Sequence, residues 1–257
     1  MSSDRRERNP GNDVAGQSTR QPLRVYITVR DRLRPLLALV DWLERAGGVE
    51  IILVDNDSAY PPLLEWLEST PHQVVRTGAN LGPRAAWLTG LVQRHGLDHP
   101  YVVTDPDVVP DPRCPLDLLD HLAGLLERYP EVDRAGPGLR IDDLPEAGRH
   151  TADVRSWESQ FWSDEIEPGV YRADIDTTLA LYRPGRRVPG RMAIRTGEPY
   201  TARHLPWYET GPGDEESQFY RMRADPTVNS WDLDQLPPYL RQLVDDRGST
   251  AADAPAR

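Results

Sequence analysis

Hydrophobic residues in the first half of the chain form short continuous runs that alternate with stretches of helical spacing. The runs Leu23–Val29 (LRVYITV), Val49–Asp55 (VEIILVD), 72–77 (HQVVRT) and 101–105 (YVVTD) are β-rich. The continuous apolar run Val49–Asp55 is typical of a strand that is covered on both faces of a parallel sheet. Together the four runs predict four strands.

Helical spacing fills the intervals between these runs. Apolar residues recur three or four positions apart across 33–43, and Pro61 with Pro62 suits a first helical turn. The stretches 83–96 (PRAAWLTGLVQRHG) and 115–130 (PLDLLDHLAGLLERYP) each predict a helix, the first ending at a glycine. The resulting β-α-β-α-β-α-β order requires right-handed crossovers. It predicts an α/β fold with a mainly parallel, Rossmann-like sheet in a three-layer α/β/α sandwich.

The second half of the chain is less regular and is rich in Pro, Gly, Trp and Tyr. It predicts one strand at 174–183 (DIDTTLALYR) and one helix at 215–223. The composition shifts at 136–149, but no linker separates the two halves there. The range 22–244 is therefore predicted to be a single domain.

Length and composition indicate one core without a membrane segment. The chain has 257 residues, of which 38% are hydrophobic. No apolar run approaches the roughly 18 to 20 residues of a transmembrane helix, and the polar N-terminus lacks the apolar centre of a signal peptide. We expect a soluble, cytoplasmic protein with disordered tails at 1–21 and 245–257. The single cysteine, Cys114, excludes an internal disulfide and argues against a thiolate metal cluster.

The charged residues exclude further classes of function. The formal net charge is -11, whereas binding to nucleic acid needs a basic surface, so no nucleic-acid partner is expected. All 30 basic residues are arginines. This removes the lysine of a phosphate-binding P-loop, lysine Schiff-base chemistry and a lysine general base. Arginine in place of lysine is typical of a GC-rich genome, and we expect a bacterial source.

Polar side chains follow each of the four predicted strands at its carboxyl end, the edge at which parallel sheets bind ligands. The side chains expected there are Thr28, Arg30, Asp55, Asn80, Arg84, Asp105 and Asp107. Asp55 can accept hydrogen bonds from a base or ribose, and Asn80 and Arg84 can reach a base or a diphosphate. Asp105 and Asp107 offer the oxygen ligands that Mg²⁺ and Mn²⁺ prefer.

The acidic stretch after the fourth strand, TDPDVVPDP, also allows a simpler interpretation. Asp105 and Asp107 can form an acidic turn that contacts only water. Asp111 lies between Pro110 and Pro112, a pattern typical of a turn and a helix start, and is therefore placed outside the site.

The ordered signals VDNDS (54–58), NLGPRAAW (80–87) and the D-x-D after the fourth strand resemble the nucleotide-sugar half of family-2-type glycosyltransferases with the GT-A fold. The resemblance covers 23–112 well and the remainder loosely. It implies a GT-A-like domain in which 22–130 bind a nucleotide sugar and the irregular part at 131–244 receives the acceptor.

The resemblance also implies an activity and residue roles. The donor-binding residues would be Thr28, Arg30, Asp55, Asn80, Arg84 and Asp105. Asp107 would hold the metal bound to the donor diphosphate, so a divalent cation, Mn²⁺ or Mg²⁺, is the expected cofactor. The implied reaction is metal-dependent transfer of a sugar from a nucleotide sugar to the hydroxyl of a saccharide or small molecule, with inversion.

The second half would supply a further metal ligand and the acceptor site. Members of this fold often use a late histidine as a ligand, and His204 in TARHLPWYE is the best placed. Its neighbours Trp207 and Tyr208 are predicted to stack on an acceptor sugar. An ordinary histidine in an aromatic-rich loop is the alternative.

Two sets of carboxylates compete for the role of general base. Asp176 interrupts a predicted buried strand, beside Thr177 and Thr178, which are expected to face the acceptor. Glu215 and Glu216 resemble the acidic pair that supplies the base in many family-2 enzymes, although acidic residues also favour helix N-termini. We favour Asp176.

Three other functions remain open. A phosphohydrolase of the haloacid-dehalogenase type would match D-x-D-x-V, but that family carries it on the first strand. A nucleotidyltransferase would need a glycine-rich loop, and VYITVRDRLRP contains no glycine. A non-catalytic module that binds a nucleotide or carbohydrate is the third. The donor base, the donor sugar and the acceptor are open as well.

Overall fold

The computed structural model describes residues 21–95, 98–148, 150–176, 178–185 and 192–223, which form one ten-stranded sheet with flanking helices. The strands are β1 (Leu23–Val29), β2 (Val49–Asp55), β3 (Gln73–Arg76), β4 (Tyr101–Thr104), β5 (Val108–Pro110), β6 (Arg134–Leu139), β7 (Glu165–Glu167), β8 (Val170–Arg172), β9 (Ala180–Tyr182) and β10 (Ala193–His204). The helices are α1 (Arg34–Ala46), α2 (Pro61–Ser69), α3 (Ala85–Leu88), α4 (Leu91–Arg94), α5 (Leu118–Arg128), α6 (Thr151–Glu158) and α7 (Glu215–Met222), with 3₁₀ turns at Ser159–Trp162 and Leu205–Tyr208.

The sheet has the order β3-β2-β1-β4-β9-β6-β10-β8-β7, and β5 pairs with β10 off this path. Strands β1, β2, β3, β4, β6, β7 and β10 run in one direction, whereas β5, β8 and β9 run in the other. The predicted α/β fold with mostly parallel strands is confirmed. The carboxyl ends of β1, β2, β4, β6 and β10 therefore meet at one edge.

The three-layer arrangement follows from the alternation of side chains along the strands. Val25, Ile27 and Val29 of β1 pack in one cluster with apolar residues of α1, α2 and α5. Tyr26, between them, belongs to a second cluster on the opposite face with residues of α3 and α4. Within the described residues no helix is long and apolar enough to cross a membrane.

One predicted helix is divided in two. The stretch 83–96 was expected to form a single helix, but α3 ends at Leu88 and α4 begins at Leu91. Gly90, between them, has φ 71°, a left-handed conformation that cannot continue a helix. The expectations for α1, α2 and α7 are confirmed to within a few residues.

The prediction of a strand at 174–183 was wrong in its extent, because only Ala180–Tyr182 pairs in the sheet. Asp174 makes a local hydrogen bond instead, in which its Oδ1 accepts from the Ile175 amide at 2.9 Å. Local bonds of this kind compete with a sheet ladder. Asp176 therefore lies in irregular chain and does not interrupt a strand.

The strands β6 and β10 were not predicted at all. β6 has the sequence RAGPGL and is buried throughout. Because glycine and proline are uncommon inside strands, this central strand could not be recognised from the sequence. The predicted tails at 1–21 and 245–257 lie outside the described residues except for Gln21, and the same holds for 224–244.

Candidate functional site

Side chains join the loops at the carboxyl edge into one surface. Asp31, after β1, has φ 52° and is 1% exposed. Its Oδ1 accepts from the amides of Ala59 at 2.6 Å and Tyr60 at 2.8 Å, at the start of α2. Asn56, after β2, donates to Asn80 Oδ1 at 2.9 Å. The predicted residue Asn80 thus connects the loops that follow β2 and β3.

The predicted donor residue Asp55 is buried at the end of β2 and orders the turn that follows it. Its Oδ1 accepts from the Ser58 amide at 3.1 Å, and its Oδ2 accepts from Arg76 Nη1 at 2.9 Å. Arg84 is exposed at the start of α3. Both residues lie at the carboxyl edge, as the sequence suggested.

At the end of β1, Thr28 and Arg30 each place a polar atom where the described chain offers it no partner. The Thr28 Oγ1 and the Arg30 Nε are buried, and neither makes a hydrogen bond within the described residues. Buried polar atoms normally find a partner, so unpartnered ones at a sheet edge indicate a position where a ligand can complete the hydrogen bonding.

Asp107 and His204 come together although they are distant in sequence. β5 pairs antiparallel with β10 so that Val108 lies opposite His204. His204 Nε2 is 3.5 Å from Asp107 Oδ1, and Arg32 Nε is 4.0 Å from Asp107 Oδ2. Burial opposes ionisation of Asp107, but His204 and Arg32 outweigh it and lower the pKa of this carboxyl below its usual value.

The spacing of Asp107 and His204 is compatible with two ligands of one divalent cation. Two ligands about 2.1 Å from a common ion are separated by about 3 Å, close to the distance observed here. Among the described residues no group of three or more His, Cys, Asp or Glu side chains is arranged for a metal ion. Mg²⁺ and Mn²⁺ commonly take one or two protein ligands and complete their coordination with phosphate and water. Asp105, two residues before Asp107, is half-buried.

Arg32 and Tyr220 belong to the same surface and were not singled out from the sequence. Arg32 is buried, with its guanidinium carbon 4.0 Å from the centre of the Tyr220 ring. Burial raises the pKa of Tyr220 to about 12, with a further contribution from the carboxylates of Asp107 and Asp105. The stretch TVRDR pointed to this loop, but the contact with α7 could be recognised only in three dimensions.

Helix α7 is fastened to the loop after β1 by one of the predicted catalytic residues. Glu216 is buried, and its Oε2 accepts from the amides of Leu33 and Arg34, each at 3.0 Å. Glu215 is exposed. Asp214 caps α7 by accepting from the Ser217 amide at 2.9 Å.

The predicted acceptor residues are partly engaged with the protein. Trp207 packs edge-on against His204, with ring centres 4.7 Å apart, and its buried Nε1 has no partner within the described chain. Tyr208 donates to Asp143 at 2.7 Å; burial and this bond raise its pKa. Asp176 is exposed. Thr177 lies outside the described residues.

Asp111 forms the turn that was predicted for it. Its Oδ1 accepts from the Arg113 amide at 3.0 Å, and its carbonyl accepts from the Cys114 amide at 2.7 Å. It is also an unexpected centre of ion pairs. Arg203 Nε lies 3.0 Å from Asp111 Oδ2, and Arg113 Nε lies 3.0 Å from Asp111 Oδ1.

No family model and no curated protein matches the sequence. Solved structures that are similar include glucosyl-3-phosphoglycerate synthase from Mycobacterium tuberculosis in complex with Mn²⁺, uridine diphosphate and glucosyl-3-phosphoglycerate. That similarity has 16% identity, a TM-score of 0.40, and coverage of 63% of this chain and 57% of that chain. Apo UDP-glucose pyrophosphorylase is similar at 12% identity and a TM-score of 0.41, over 79% of this chain and 99% of that chain.

HddC from Yersinia pseudotuberculosis is similar at 17% identity and a TM-score of 0.35, over 68% of this chain and 74% of that chain. The chain thus spans little more than half the length of the synthase. At these identities and TM-scores the similarities assign no activity, and the function of this chain has to be argued from its own residues.

Proposed function

We propose that this protein is a glycosyltransferase that moves a sugar from a nucleotide-sugar donor to an acceptor hydroxyl with the help of Mn²⁺ or Mg²⁺. The observation that carries the proposal is the approach of Asp107 and His204 to 3.5 Å at the carboxyl edge of the sheet. The resemblance to family-2-type glycosyltransferases implies that both residues are metal ligands, although 97 positions separate them in the chain. Their convergence is what a cation site for a donor diphosphate requires.

The surrounding side chains supply what the donor needs. Thr28 and Arg30 offer buried polar atoms that have no partner within the described chain, and Asp55, Asn80 and Arg84 lie along the same edge. Asp105 would contact the ribose of the donor. A bound cation would offset the negative charge of the leaving diphosphate. Arg30 and Arg32 would add positive charge beside Asp107.

Asp176 is the carboxylate that we propose as the general base, with Trp207 and Tyr208 on the acceptor side. The acceptor oxygen attacks the anomeric carbon, and its proton passes to Asp176. The bond from that carbon to the diphosphate oxygen breaks, and the nucleoside diphosphate leaves with the electron pair. Because the acceptor attacks from the face opposite the diphosphate, the configuration at the anomeric carbon is inverted. Glu216 is the weaker candidate because both hydrogen bonds of its Oε2 serve the start of α1.

Isothermal titration with uridine, guanosine and thymidine diphosphates, with and without Mn²⁺, tests the proposal directly. One diphosphate is expected to bind in the presence of Mn²⁺, and Asp107→Ala and His204→Ala should weaken this binding at least tenfold. Asp41→Ala and His72→Ala are matched controls. Asp41 pairs with Arg45 on the exposed face of α1, and His72 Nε2 lies 3.3 Å from Glu44.

Absence of binding of every diphosphate would contradict the proposal and leave Asp107 as a structural partner of His204 and Arg32. Binding by the wild type that both site variants retain would remove Asp107 and His204 from the cation site. Formation of a nucleoside triphosphate from the nucleotide sugar and pyrophosphate would identify a nucleotidyltransferase. Binding without turnover of any donor would favour a non-catalytic module.

A further inference from the structure

Two buried arginines hold the chain just before Asp176 by its backbone. Arg134, on β6, donates from Nε and Nη2 to the Ile175 carbonyl oxygen at 3.0 and 2.7 Å. Arg195, on β10, donates from Nε to the Asp174 carbonyl oxygen at 2.8 Å. Two successive carbonyls are thus fixed by guanidinium groups of two neighbouring strands, and both arginines are nearly inaccessible, at 6% and 4% exposure.

Each arginine is itself anchored, so the pair is a rigid support. Arg134 Nη2 also binds the Asp174 carboxylate at 2.5 Å. Arg195 forms a buried ion pair with Glu158 at the end of α6 and lies over the Phe161 ring, 4.1 Å from its centre. A guanidinium presents several donors in a fixed plane, and a lysine cannot reproduce that arrangement.

Gly136 packs closely against the segment that the two arginines hold, which comprises residues 174–176 and is called the held segment below. Gly136 lies opposite Arg195 in the ladder of β6 and β10. A Cβ atom at Gly136 would stand 2.3 Å from the Leu179 carbonyl oxygen and 3.1 Å from Ile175 Cδ1. Ile175 and Leu179 therefore lie directly against the β6 backbone at Gly136.

The held segment leads to the proposed catalytic surface. β9 runs antiparallel to β4, with Ala180 opposite Val103, so the residues before Ala180 continue toward the carboxyl edge that carries Asp105. Burial raises the pKa of the Tyr182 hydroxyl, and the negative charges of Asp105 and Asp176 contribute in the same direction.

We propose that Arg134 and Arg195 are positioning residues that hold Asp176 in place for transfer, by fixing the Asp174 and Ile175 carbonyls. The inference rests on the proposed function, because it concerns the base of that reaction. In this proposal the two buried arginines act without contacting donor or acceptor. Their effect on the reaction is transmitted through the backbone of the held segment.

The test compares Arg195→Lys and Arg134→Lys with the wild type in steady-state kinetics. Each variant keeps a positive charge but loses the planar set of donors, so the segment should shift. A displacement on the order of 1 Å costs on the order of 100-fold in rate. We expect kcat to fall roughly 10 to 100-fold, with unchanged KM for the donor and unchanged affinity for the nucleoside diphosphate.

Arg183→Lys is the matched control. Arg183 follows the other end of β9 and also donates to backbone carbonyls, those of Val132 at 2.6 Å and Tyr129 at 2.7 Å. It lies away from the carboxyl edge. The same chemical change there should alter thermal stability without a selective fall in kcat.

A double variant separates positioning from a general structural effect. In an Asp176→Asn background, Arg195→Lys should lower kcat no further, because the residue through which it acts is gone. Gly136→Ala provides a second route that leaves both arginines in place. Its new methyl group should push the segment away and reproduce the fall in kcat.

Hydrogen exchange of the peptide covering 173–182 gives a readout that does not depend on turnover. Faster exchange there in Arg195→Lys, with donor affinity unchanged, would support the inference. Equal kcat in Arg195→Lys and Arg183→Lys, or an additive loss in the Asp176→Asn background, would overturn it. Failure of the wild type to bind any nucleoside diphosphate would instead overturn the proposed function, and the two failures are therefore distinguishable.

Discussion

Asp107 and Asp111 belong to one short acidic stretch, and both are buried, at 8% and 1% exposure, yet their surroundings differ in kind. Asp111 lies between the guanidinium groups of Arg113 and Arg203, each with its Nε at 3.0 Å. Asp107 faces the imidazole of His204 at 3.5 Å, and the guanidinium of Arg32 is 4.0 Å away. Within the described chain, the Asp111 carboxylate is closely paired with two guanidinium groups, whereas the imidazole and guanidinium nearest to Asp107 lie farther from its oxygens.

The ion pairs around Asp111 extend into a larger cluster. Arg140 approaches Asp111 at 3.8 Å and binds Asp142 and Glu198, each at 2.6 Å, while Arg203 binds Asp143 at 2.5 Å. Such a cluster joins the ends of β5, β6 and β10 through several guanidinium–carboxylate pairs. Burial alone therefore does not distinguish a structural carboxylate from a binding one. The chemistry of the nearest partners does.

Removal of the Asp111 carboxylate should have the largest effect on stability. Asp111→Ala leaves Arg113 without its shortest ion pair and removes one of the two carboxylates that pair with Arg203. Because the Arg113 and Arg203 side chains are 61% and 30% exposed, the cost should lie at the lower end of the range of about 3 to 5 kcal/mol that is typical for a buried pair. Because part of the cluster remains, we expect a loss of about 3 kcal/mol, or a fall in Tm on the order of 10 °C. Urea unfolding followed by circular dichroism measures it.

Asp142→Ala is the control for the Asp111 variant. Asp142 binds the same Arg140, but its side chain is 67% exposed, so its removal should cost less than about 1 kcal/mol. Asp107→Ala should unfold at a denaturant concentration closer to that of the wild type while it loses cation-dependent binding. A larger loss of stability in Asp107→Ala than in Asp111→Ala would reverse the comparison.

The two candidate bases, Glu216 and Asp176, show the same contrast between a carboxylate that is engaged by the protein and one that is available to a ligand. The loss of stability expected from removing Glu216 is smaller than that expected from removing Asp111. Glu216→Ala leaves the Leu33 and Arg34 amides without their acceptor, at a cost of about 1 to 2 kcal/mol. Glu216→Gln retains an acceptor oxygen and should keep most of the turnover. Asp176→Asn, on an exposed side chain, should keep Tm and lower kcat roughly 10² to 10⁴-fold.

Thermal unfolding and steady-state kinetics on the same three preparations decide this question. Loss of turnover in Glu216→Gln together with near-normal turnover in Asp176→Asn would exchange the two roles. It would also show that a carboxylate engaged by backbone amides can be the reactive one.

The sequence predicted the first half of the fold well because its signals are local. Continuous apolar runs and prolines at helix starts gave β1, β2, β4, α1 and α2 close to their observed bounds. β6 and β10 could not be recognised in the same way. β6 contains two glycines and a proline, and its burial depends on segments that cross it, such as the one resting on Gly136.

The candidate site was predictable to the extent that parallel strands align their ends. This geometry placed Asp55, Asp105 and Asp107 at one edge without any knowledge of tertiary contacts. Contacts with later segments were not predictable, because they depend on how the irregular half folds back. Examples are the contact of the Arg32 guanidinium with the Tyr220 ring, and the hydrogen bonds that Arg134 and Arg195 donate to the carbonyls of the 174–176 segment.

Cys114 provides the most local probe of the Asp111 region, through its reactivity. Burial, together with the carboxylates of Asp111 and Asp117, raises the pKa of this thiol to about 12. Because the thiolate is the reactive form, the native protein at about pH 8 should react with an aromatic disulfide reagent on the order of a thousandfold more slowly than the urea-unfolded protein. Asp111→Asn should accelerate the native reaction, since it removes a negative charge and loosens the turn, whereas Asp107→Asn should leave the rate unchanged. Equal acceleration by the two variants would show that both carboxylates support the same local structure, and the distinction between the paired and the ligand-facing carboxylate would then fail.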